Sequence, residues 1–177
     1  MNTLVEAAAQ VFAREGVATT TNRIAERAGL SIGTLYQYYP DKLALLRAVA
    51  ERHVREADER LCEVFADLRA ETPPFDATMR TLLTALVGLH ADQPRLHSLL
   101  HRMMAPTIEQ LGAMHDFEER ICDEVSFHLK RCDRGGDDTE LTARTLVHTI
   151  DAHLHRVLEF DIDALMVTVD RLAPPPG

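Results

Sequence analysis

The stretch GLSIGTLYQYYPDK, residues 29–42, decides the interpretation of this chain. It holds all three tyrosines of the 177-residue protein: Tyr36, Tyr38 and Tyr39. A core that needs aromatic filling distributes such residues at helical spacing, as the six phenylalanines are distributed here. The clustering therefore indicates a local role. Ser31 is suited to cap a short helix and Pro40 to end it, which predicts a helix between them.

The residues just before this stretch predict a second short helix that crosses the first. The hydroxyls of residues 19–21 can cap its N-terminus, and Gly29 can end it. Ala25 is small enough for a helix crossing, Gly29 can take the positive φ of a tight turn, and Leu35 supplies an apolar anchor on the following helix. This spacing predicts a helix-turn-helix, although a helical hairpin in an enzyme can also show it.

Helical periodicity divides the helix after Ser31 into two sides. One side carries Ile32, Leu35 and Tyr39, which we expect to pack inward. The other side carries small and polar residues: Gly33, Thr34, Gln37 and Tyr38. Such groups suit phosphates and base edges in a DNA major groove. The tyrosine hydroxyls can reach the DNA backbone, and the Lys42 amine can meet a phosphate; the alternative is a purely structural aromatic cluster.

The charge distribution supports a DNA-binding head on an acidic body. The net charge is −9, which by itself argues against nucleic acid as a partner. The first 50 residues, however, carry five basic and four acidic side chains, whereas the other 127 carry 14 basic and 24 acidic ones. This asymmetry favours a head that tolerates a polyanion. An ordinary acidic surface explains the body equally well.

Apolar residues recur at helical spacing along the whole chain, and no alternating strand pattern competes with them. The sequence therefore predicts an all-α fold of about nine helices, with the fourth unusually long. We expect a three-helix head with the helix-turn-helix at residues 1–46, an effector-binding and dimerisation body at 47–173, and a flexible tail at 174–177. Pro94 and Pro106 are expected to bracket the sixth helix.

Other features predict a soluble, cytoplasmic protein. The three cysteines have no common spacing, which argues against a disulfide framework. There is no apolar run of about 18 residues that could span a membrane and no leader pattern. We therefore expect no membrane partner and no cofactor.

The segment from Leu4 to Leu46 resembles the DNA-binding head of the TetR-type transcriptional repressors. It reads AAxxVFxxxG at residues 7–16 and TTxxxIAxxAGLSxGTLYxYYxxKxxLL at residues 19–46. The resemblance implies a homodimer of about nine helices per subunit that binds palindromic double-stranded DNA operators and performs no catalysis. By position, it implies DNA contacts at Thr21, Asn22, Ser31, Gly33, Thr34, Tyr36, Gln37, Tyr38 and Lys42. Ile32 stands where such proteins often carry lysine or another polar residue, so this position either lacks a phosphate contact or meets a thymine methyl.

The body offers a set of soft, adaptable side chains of the kind that line apolar pockets. We expect an effector pocket lined by Phe65, Leu83, Leu86, Met103, Met104, Met114, Phe117 and Ile121. Helical spacing does not separate pocket from core, so either interpretation holds for each residue.

Histidine is unusually frequent, with nine residues. His97 with His101, and His148 with Asp151 and His155, have the spacing of one helix face, which can bind a divalent metal. No cysteine or glutamate completes a metal motif beside them. We therefore expect hydrogen-bonding roles and no metal site.

The last two helices are expected to form the dimer interface, because their apolar stripes are broad and two such pairs make a four-helix bundle. The predicted interface residues are Leu146, Ile150, Leu154, Val157, Leu165, Met166 and Val169. Packing within one subunit is the alternative, and both can hold.

Together these observations predict a regulator, most simply a repressor, that a small apolar or amphipathic effector releases from its operator. Two other classes remain open: a DNA-bound scaffold without an effector, and a helical enzyme or metal sensor that uses the histidines. The enzyme alternative lacks a nucleophile with an adjacent base, a phosphate loop and a paired-carboxylate site.

Overall fold

The computed structural model describes residues 2–108, 112–156 and 161–175, and within them the side chains of residues 2, 103–108, 113 and 156 are not described. All regular structure in these ranges is helical, which confirms the predicted all-α class. The nine α-helices are α1 (Asn2–Glu15), α2 (Thr21–Ala28), α3 (Ile32–Tyr38), α4 (Lys42–Glu71), α5 (Phe75–Asp92), α6 (Pro94–Ile108), α7 (Gly112–Arg131), α8 (Thr139–Arg156) and α9 (Ile162–Leu172). A short 3-10 helix, Gly16–Ala18, follows α1.

Local capping explains where several helices begin. The Arg23 amide donates to the Thr20 hydroxyl at 3.3 Å at the start of α2. The Thr34 amide donates to the Ser31 hydroxyl at 3.0 Å at the start of α3, and the Ala44 amide donates to the Asp41 carboxylate at 2.7 Å in α4. Each bond satisfies a backbone donor that has no partner inside its helix. The caps predicted at residues 19–21 and at Ser31 are confirmed.

The sixth helix is longer than predicted. Pro106 was expected to end it, but α6 continues to Ile108. A proline inside a helix removes its own N–H and crowds the carbonyl four residues earlier, yet α6 includes Pro106.

The described chain forms two compact units. The first comprises Met1–Glu56 and Gln93–Met114. Its core combines residues of α1 to α4 with three leucines of α6, Leu96, Leu99 and Leu100, which are at most 6% exposed. The sequence placed α6 in the body, whereas packing places it with the head, because these leucines complete the head's apolar core. The functional boundary near residue 46 stays a prediction.

The second unit comprises Ala57–Asp92 and His115–Gly177. Its core brings together the buried apolar faces of α5, α7, α8, α9 and the second half of α4, including Leu61, Leu129 and Leu146 at 2% exposure or less. Arg134 ties the end of α9 to this unit, since its guanidinium donates to the Ala173 carbonyl at 2.8 Å and lies over the Phe75 ring, 4.5 Å from the ring centroid.

Candidate nucleic-acid interface

The turn between α2 and α3 has the geometry that its glycine allows. Gly29 has φ of 68°, in the left-handed region that costs glycine little. The Leu30 amide donates to the Ala25 carbonyl and the Gly29 amide to the Glu26 carbonyl, both at 3.0 Å. These bonds close the end of α2 and turn the chain into α3. Leu35 is fully buried, so the predicted anchor of the helix-turn-helix is in place.

The opposite side of α3 faces solvent. Of the nine residues expected to contact DNA, six are exposed: Asn22, Ser31, Gly33, Tyr36, Gln37 and Tyr38. The other three, Thr21, Thr34 and Lys42, are half-buried. The structure thus brings most of the set onto one accessible surface, formed by α2, α3 and the start of α4. Their contacts with DNA stay a prediction.

Several polar groups on this surface are already hydrogen-bonded to one another. The Ser31 and Thr34 hydroxyls lie 2.8 Å apart, and Ser31 also caps α3. The Tyr36 hydroxyl lies 3.0 Å from the Thr21 hydroxyl, which joins α3 to α2. A hydroxyl can donate once and accept twice. These groups are therefore held in position and keep some capacity for a ligand.

Lys42 has an internal role that the sequence did not indicate. Its amine donates to the carbonyls of Val17 at 2.6 Å and Thr19 at 3.1 Å. A lysine amine has three N–H donors, so one remains for a phosphate once these two are used. Lys42 therefore fastens the loop after α1 to the start of α4. The partners lie 23 and 25 residues away, beyond the reach of helical spacing rules.

Gly33 is a glycine that the fold does not require. It lies inside α3 and has no positive φ. A Cβ at this position would meet the Ser31 hydroxyl oxygen at 3.7 Å, an ordinary van der Waals distance, and that is its nearest neighbour. Because glycine weakens a helix relative to alanine, its presence here suits a surface that another molecule approaches closely.

Ile32 departs from its predicted place. We expected it to pack inward with Leu35 and Tyr39, but it is 37% exposed at the first position of α3. Ile32 directly precedes Gly33, so it lies next to the outer face of α3 and not on the buried side of the helix. Tyr39 behaves as predicted: it is half-buried against the head's core, and burial, helped by Glu51, raises the pKa of its hydroxyl.

Large exposed apolar side chains concentrate around α3. Eight are exposed among the described residues, and five of them fall between positions 30 and 43: Leu30, Ile32, Tyr36, Tyr38 and Leu43. Single exposed apolar residues are normal, so the notable feature is their concentration in this one short segment.

The arginines of the head are largely engaged within it. Arg23 pairs with Glu15 at 3.2 Å and Glu26 at 3.5 Å. Hydrogen bonding and charge from Glu15 raise the pKa of Arg23. Arg27 donates to the Gln10 amide oxygen at 2.6 Å. These contacts orient the arginines along α1 and α2, and the two glutamates partly offset the charge that Arg23 offers to phosphates.

Two surface grooves are also found on the first unit. One, of about 340 Å³, lies along α1 and α2 and is lined by residues such as Arg14 and Arg27. The other, of about 430 Å³, lies between Tyr38, Tyr39 and α4 and includes Arg55. Both are open and mixed in polarity, unlike the enclosed apolar pocket expected for an effector.

The residues expected to line the effector pocket fall into three groups. Phe65, Leu83 and Ile121 are buried in the core of the second unit, and Leu86 and Phe117 pack against that core half-buried. Met114 is half-buried and belongs to the first unit. Met103 and Met104 lie on α6, but their side chains are outside the described part of the chain. The pocket stays a prediction.

The second unit contains a buried polar network that the sequence analysis missed. His128 is fully buried, and its Nε2–H donates to the Glu124 carboxylate at 2.9 Å. The Arg131 guanidinium donates to His128 Nδ1 at 3.2 Å and to the Pro73 carbonyl at 2.8 Å. Arg69 donates to Glu124 at 2.8 Å from α4. The spacing of residues 124, 128 and 131 on one helix face was the available signal.

The direction of these bonds fixes the charge of the histidine. An arginine has no acceptor, so Nδ1 must accept and His128 must be neutral with its proton on Nε2. Burial lowers the pKa of His128, and the attraction of Glu124 only partly offsets this effect. The network holds the loop between α4 and α5, where Thr72 has a positive φ of 45°.

The residues predicted for the dimer interface are buried within one chain, and their contacts with a second subunit stay a prediction. Leu146, Ile150, Leu154, Leu165, Met166 and Val169 are each at most 5% exposed within one chain; Val157 lies outside the described residues. Side chains already removed from water have little surface left to bury against a partner. The outer faces of α8 and α9 instead expose Leu141 at 61% and Val167 at 50%.

The histidines with metal-like spacing have other contacts. The Nδ1 of His148 lies 3.0 Å from the Glu118 carboxylate, and the Nδ1 of His155 lies 3.0 Å from the Asp151 carboxylate. The Nδ1 of His97 lies 3.1 Å from the Nε2 of His53. The described residues include no helix long and apolar enough to cross a membrane.

A head in which α2, a glycine turn and an exposed α3 form a helix-turn-helix defines a DNA-binding regulator of the all-helical class. Two family models match the chain: bacterial regulatory proteins of the tetR family at residues 4–49, and the tetracyclin repressor-like C-terminal domain at residues 74–165. The second alone spans more than half of the chain. The protein belongs to the TetR family of transcriptional regulators, whose members are DNA-binding factors and not enzymes.

Solved structures share the fold. A putative TetR-family regulator from Mesorhizobium loti MAFF303099 is 20% identical, with a TM-score of 0.72 over 97% of this chain and 95% of that chain. A putative transcriptional regulator from Streptomyces coelicolor A3(2) is 21% identical, with a TM-score of 0.68 over 97% and 96%. The multidrug binding protein EbrR, complexed with imidazole, is 21% identical, with a TM-score of 0.65 over 99% and 96%. No match was found among curated proteins.

Proposed function

We propose that this protein is a ligand-responsive transcriptional repressor that binds a palindromic DNA operator as a homodimer. One observation carries the proposal: the outer face of α3 is exposed and combines polar groups with tyrosine rings, and at its centre stands Gly33, a glycine that the fold does not require. A recognition helix without a side chain at that point can approach DNA closely. Gln37, one helical turn further on, is then placed to read a base edge.

The homodimer follows from the geometry of operators. Two copies of α3 reach successive major grooves only when they are about 34 Å apart, which is one turn of DNA. The outer faces of α8 and α9, with Leu141 and Val167 exposed, are the surface on which we place the dimer contact. Their broad buried stripes anchor these helices to the second unit and make them rigid supports for such a contact.

We propose that the effector is a small apolar or amphipathic molecule that binds in the second unit. The packed apolar set around Phe65, Leu83 and Ile121 offers the chemistry such a ligand needs. A solved structure of similar fold is described as a multidrug binding protein with imidazole bound, which supports a small-molecule ligand here. Helix α4 carries both Lys42 and Phe65, so a ligand that prefers one position of α4 can change DNA affinity.

A regulator without an effector is the second candidate, favoured by one observation. Phe65, Leu83 and Ile121 are at most 9% exposed and belong to one packed cluster. Well-packed cores leave few voids larger than a water molecule, so these residues can serve the fold alone. In that case the protein acts as a DNA-bound scaffold for another partner.

The test has two stages. First, the full-length protein is used to select duplexes from a random DNA pool, and a palindromic sequence with half-sites one turn apart is expected. A Gln37→Ala variant should select a different base preference at one position per half-site, because a good bidentate base contact discriminates by about 1–3 kcal/mol. Enrichment of no sequence would overturn the proposal.

Second, apolar and amphipathic compounds that raise the melting temperature are assayed for release of the selected duplex. Moving the protein from mostly bound to mostly released takes a differential affinity on the order of 10²-fold to 10⁴-fold. Compounds that stabilise the protein and weaken DNA binding support the repressor. Compounds that stabilise it and leave DNA affinity unchanged favour the scaffold.

A further inference from the structure

Ile32 is an apolar residue that the fold leaves outside its core. It is the first residue of α3 and is 37% exposed, whereas Leu35, on the next turn of the same helix, is fully buried. The exposed part of this isoleucine forgoes the stabilisation that its burial would contribute. Its position, next to Gly33 at the N-terminal end of the recognition helix, is where helices of this motif contact base edges.

The polar groups around Ile32 are partly committed to the protein. The Ser31 hydroxyl accepts from the Thr34 amide at 3.0 Å and is 2.8 Å from the Thr34 hydroxyl. The Tyr36 hydroxyl, one turn further along the helix, is 3.0 Å from the Thr21 hydroxyl. The branched side chain of Ile32 is therefore the uncommitted group that the first turn of α3 presents on this flank.

Three cationic side chains of the head are already hydrogen-bonded within the protein. Lys42 donates to two carbonyls of its own chain, and Arg23 and Arg27 are engaged by Glu15 and Gln10. Recognition at the first turn of α3 must then depend on shape and apolar contact more than on charge.

We infer that Ile32 is a specificity residue that reads the C5-methyl group of a thymine in the major groove. This is the one apolar group that base pairs present there. An aliphatic side chain meets it favourably, but opposite a cytosine amine it would displace water without offering an acceptor. The inference rests on the proposed function and adds to it: each operator half-site carries a thymine opposite the start of α3.

The test removes only the methyl group. Each thymine of the duplex selected by the wild-type protein is replaced in turn by deoxyuridine, which keeps every hydrogen-bonding group. At one position per half-site the affinity should fall about 4-fold, the value for one buried methyl-sized group, and about 15-fold when both half-sites are changed. Replacing a cytosine at that position by 5-methylcytosine should recover part of the affinity lost by a thymine-to-cytosine change.

Two variants identify the residue responsible. Ile32→Ala should bind the thymine and deoxyuridine duplexes equally, while Leu43→Ala, which also truncates an exposed apolar residue, should keep the wild-type discrimination. Melting curves of both variants should stay close to that of the wild type and to each other, since Ile32 and Leu43 are exposed to a similar extent, 37% and 46%. A deoxyuridine scan without any sensitive position, or one whose sensitive position is unchanged in Ile32→Ala, overturns the inference and leaves the proposed function standing. Failure to select any duplex overturns both.

Discussion

Replacing Gly33 by alanine should raise stability and lower DNA affinity together. The new Cβ would lie 3.7 Å from the Ser31 hydroxyl oxygen, with no closer neighbour, so the fold accommodates it without strain. Alanine is favoured over glycine inside a helix by about 0.5–1 kcal/mol. For a protein of this size that corresponds to a rise in melting temperature of roughly 1–4 °C.

The effect on DNA should have the opposite sign. Gly33 lies on the side of α3 opposite Leu35, at the centre of the proposed contact surface, so the added methyl would hold the whole helix back from the groove. Losing the close contacts of one recognition residue costs about 1–3 kcal/mol, or roughly 5-fold to 150-fold in affinity per half-site. Fluorescence anisotropy with the selected duplex measures the affinity, and calorimetry measures the melting temperature.

Gly88→Ala is the matched control. Gly88 is also an exposed glycine inside a helix, in α5, and a Cβ there meets nothing within 4 Å. It should bring a similar gain in stability with no loss of DNA affinity. The reasoning is refuted if Gly33→Ala binds DNA as tightly as the wild type and Gly88→Ala, because Gly33 would then have no part in a close approach.

Further predictions concern the head, the dimer and the buried histidine. Lys42→Ala should weaken binding to all DNA sequences alike and lower the salt slope by about one unit per lost phosphate contact. It should also lower the melting temperature, because two carbonyls lose their donor. An unchanged salt slope would leave Lys42 only its internal role. Leu141→Arg should give folded monomers in sedimentation, whereas Leu154→Arg should unfold the chain, since Leu154 is 2% exposed; a dimeric Leu141→Arg would place the interface elsewhere. For His128, burial lowers the folded-state pKa. Below about pH 6.5 the unfolded chain therefore binds a proton that the native state does not bind. As a result, the free energy of unfolding falls as the pH falls toward the folded-state pKa. Urea unfolding at several pH values should show this fall in the wild type and less of it in His128→Gln; equal pH dependence in both would contradict the neutral buried histidine.

The head could be predicted because its determinants are local. Ser31 and Asp41 bond to amides three residues away, and Gly29 takes its positive φ within a single turn. Such features follow from side-chain chemistry and helical spacing alone. Leu35 as the anchor followed from the same spacing.

The parts that could not be predicted depend on contacts distant in the sequence. The leucines of α6 complete a core whose other members lie more than 40 residues earlier. Lys42 donates to the carbonyl of Val17, 25 residues earlier, in the segment that follows α1. An apolar stripe such as that containing Leu146 and Ile150 looks the same whether it packs within its own chain or against a second one, and the structure shows the burial of these two residues within one chain. Ile32 was misplaced because a helical wheel fixes relative angles but not where the core boundary falls at a helix end.

The central claim is that α3 enters the major groove of DNA at two sites one turn apart. Methylation protection of guanine N7 atoms on the selected duplex tests it directly, since those atoms lie in the major groove. We predict two protected tracts centred about 10 base pairs apart on one face of the duplex, present with the wild-type protein and lost with Gly33→Ala at the same concentration. A single tract, or protection that Gly33→Ala leaves intact, would contradict the account.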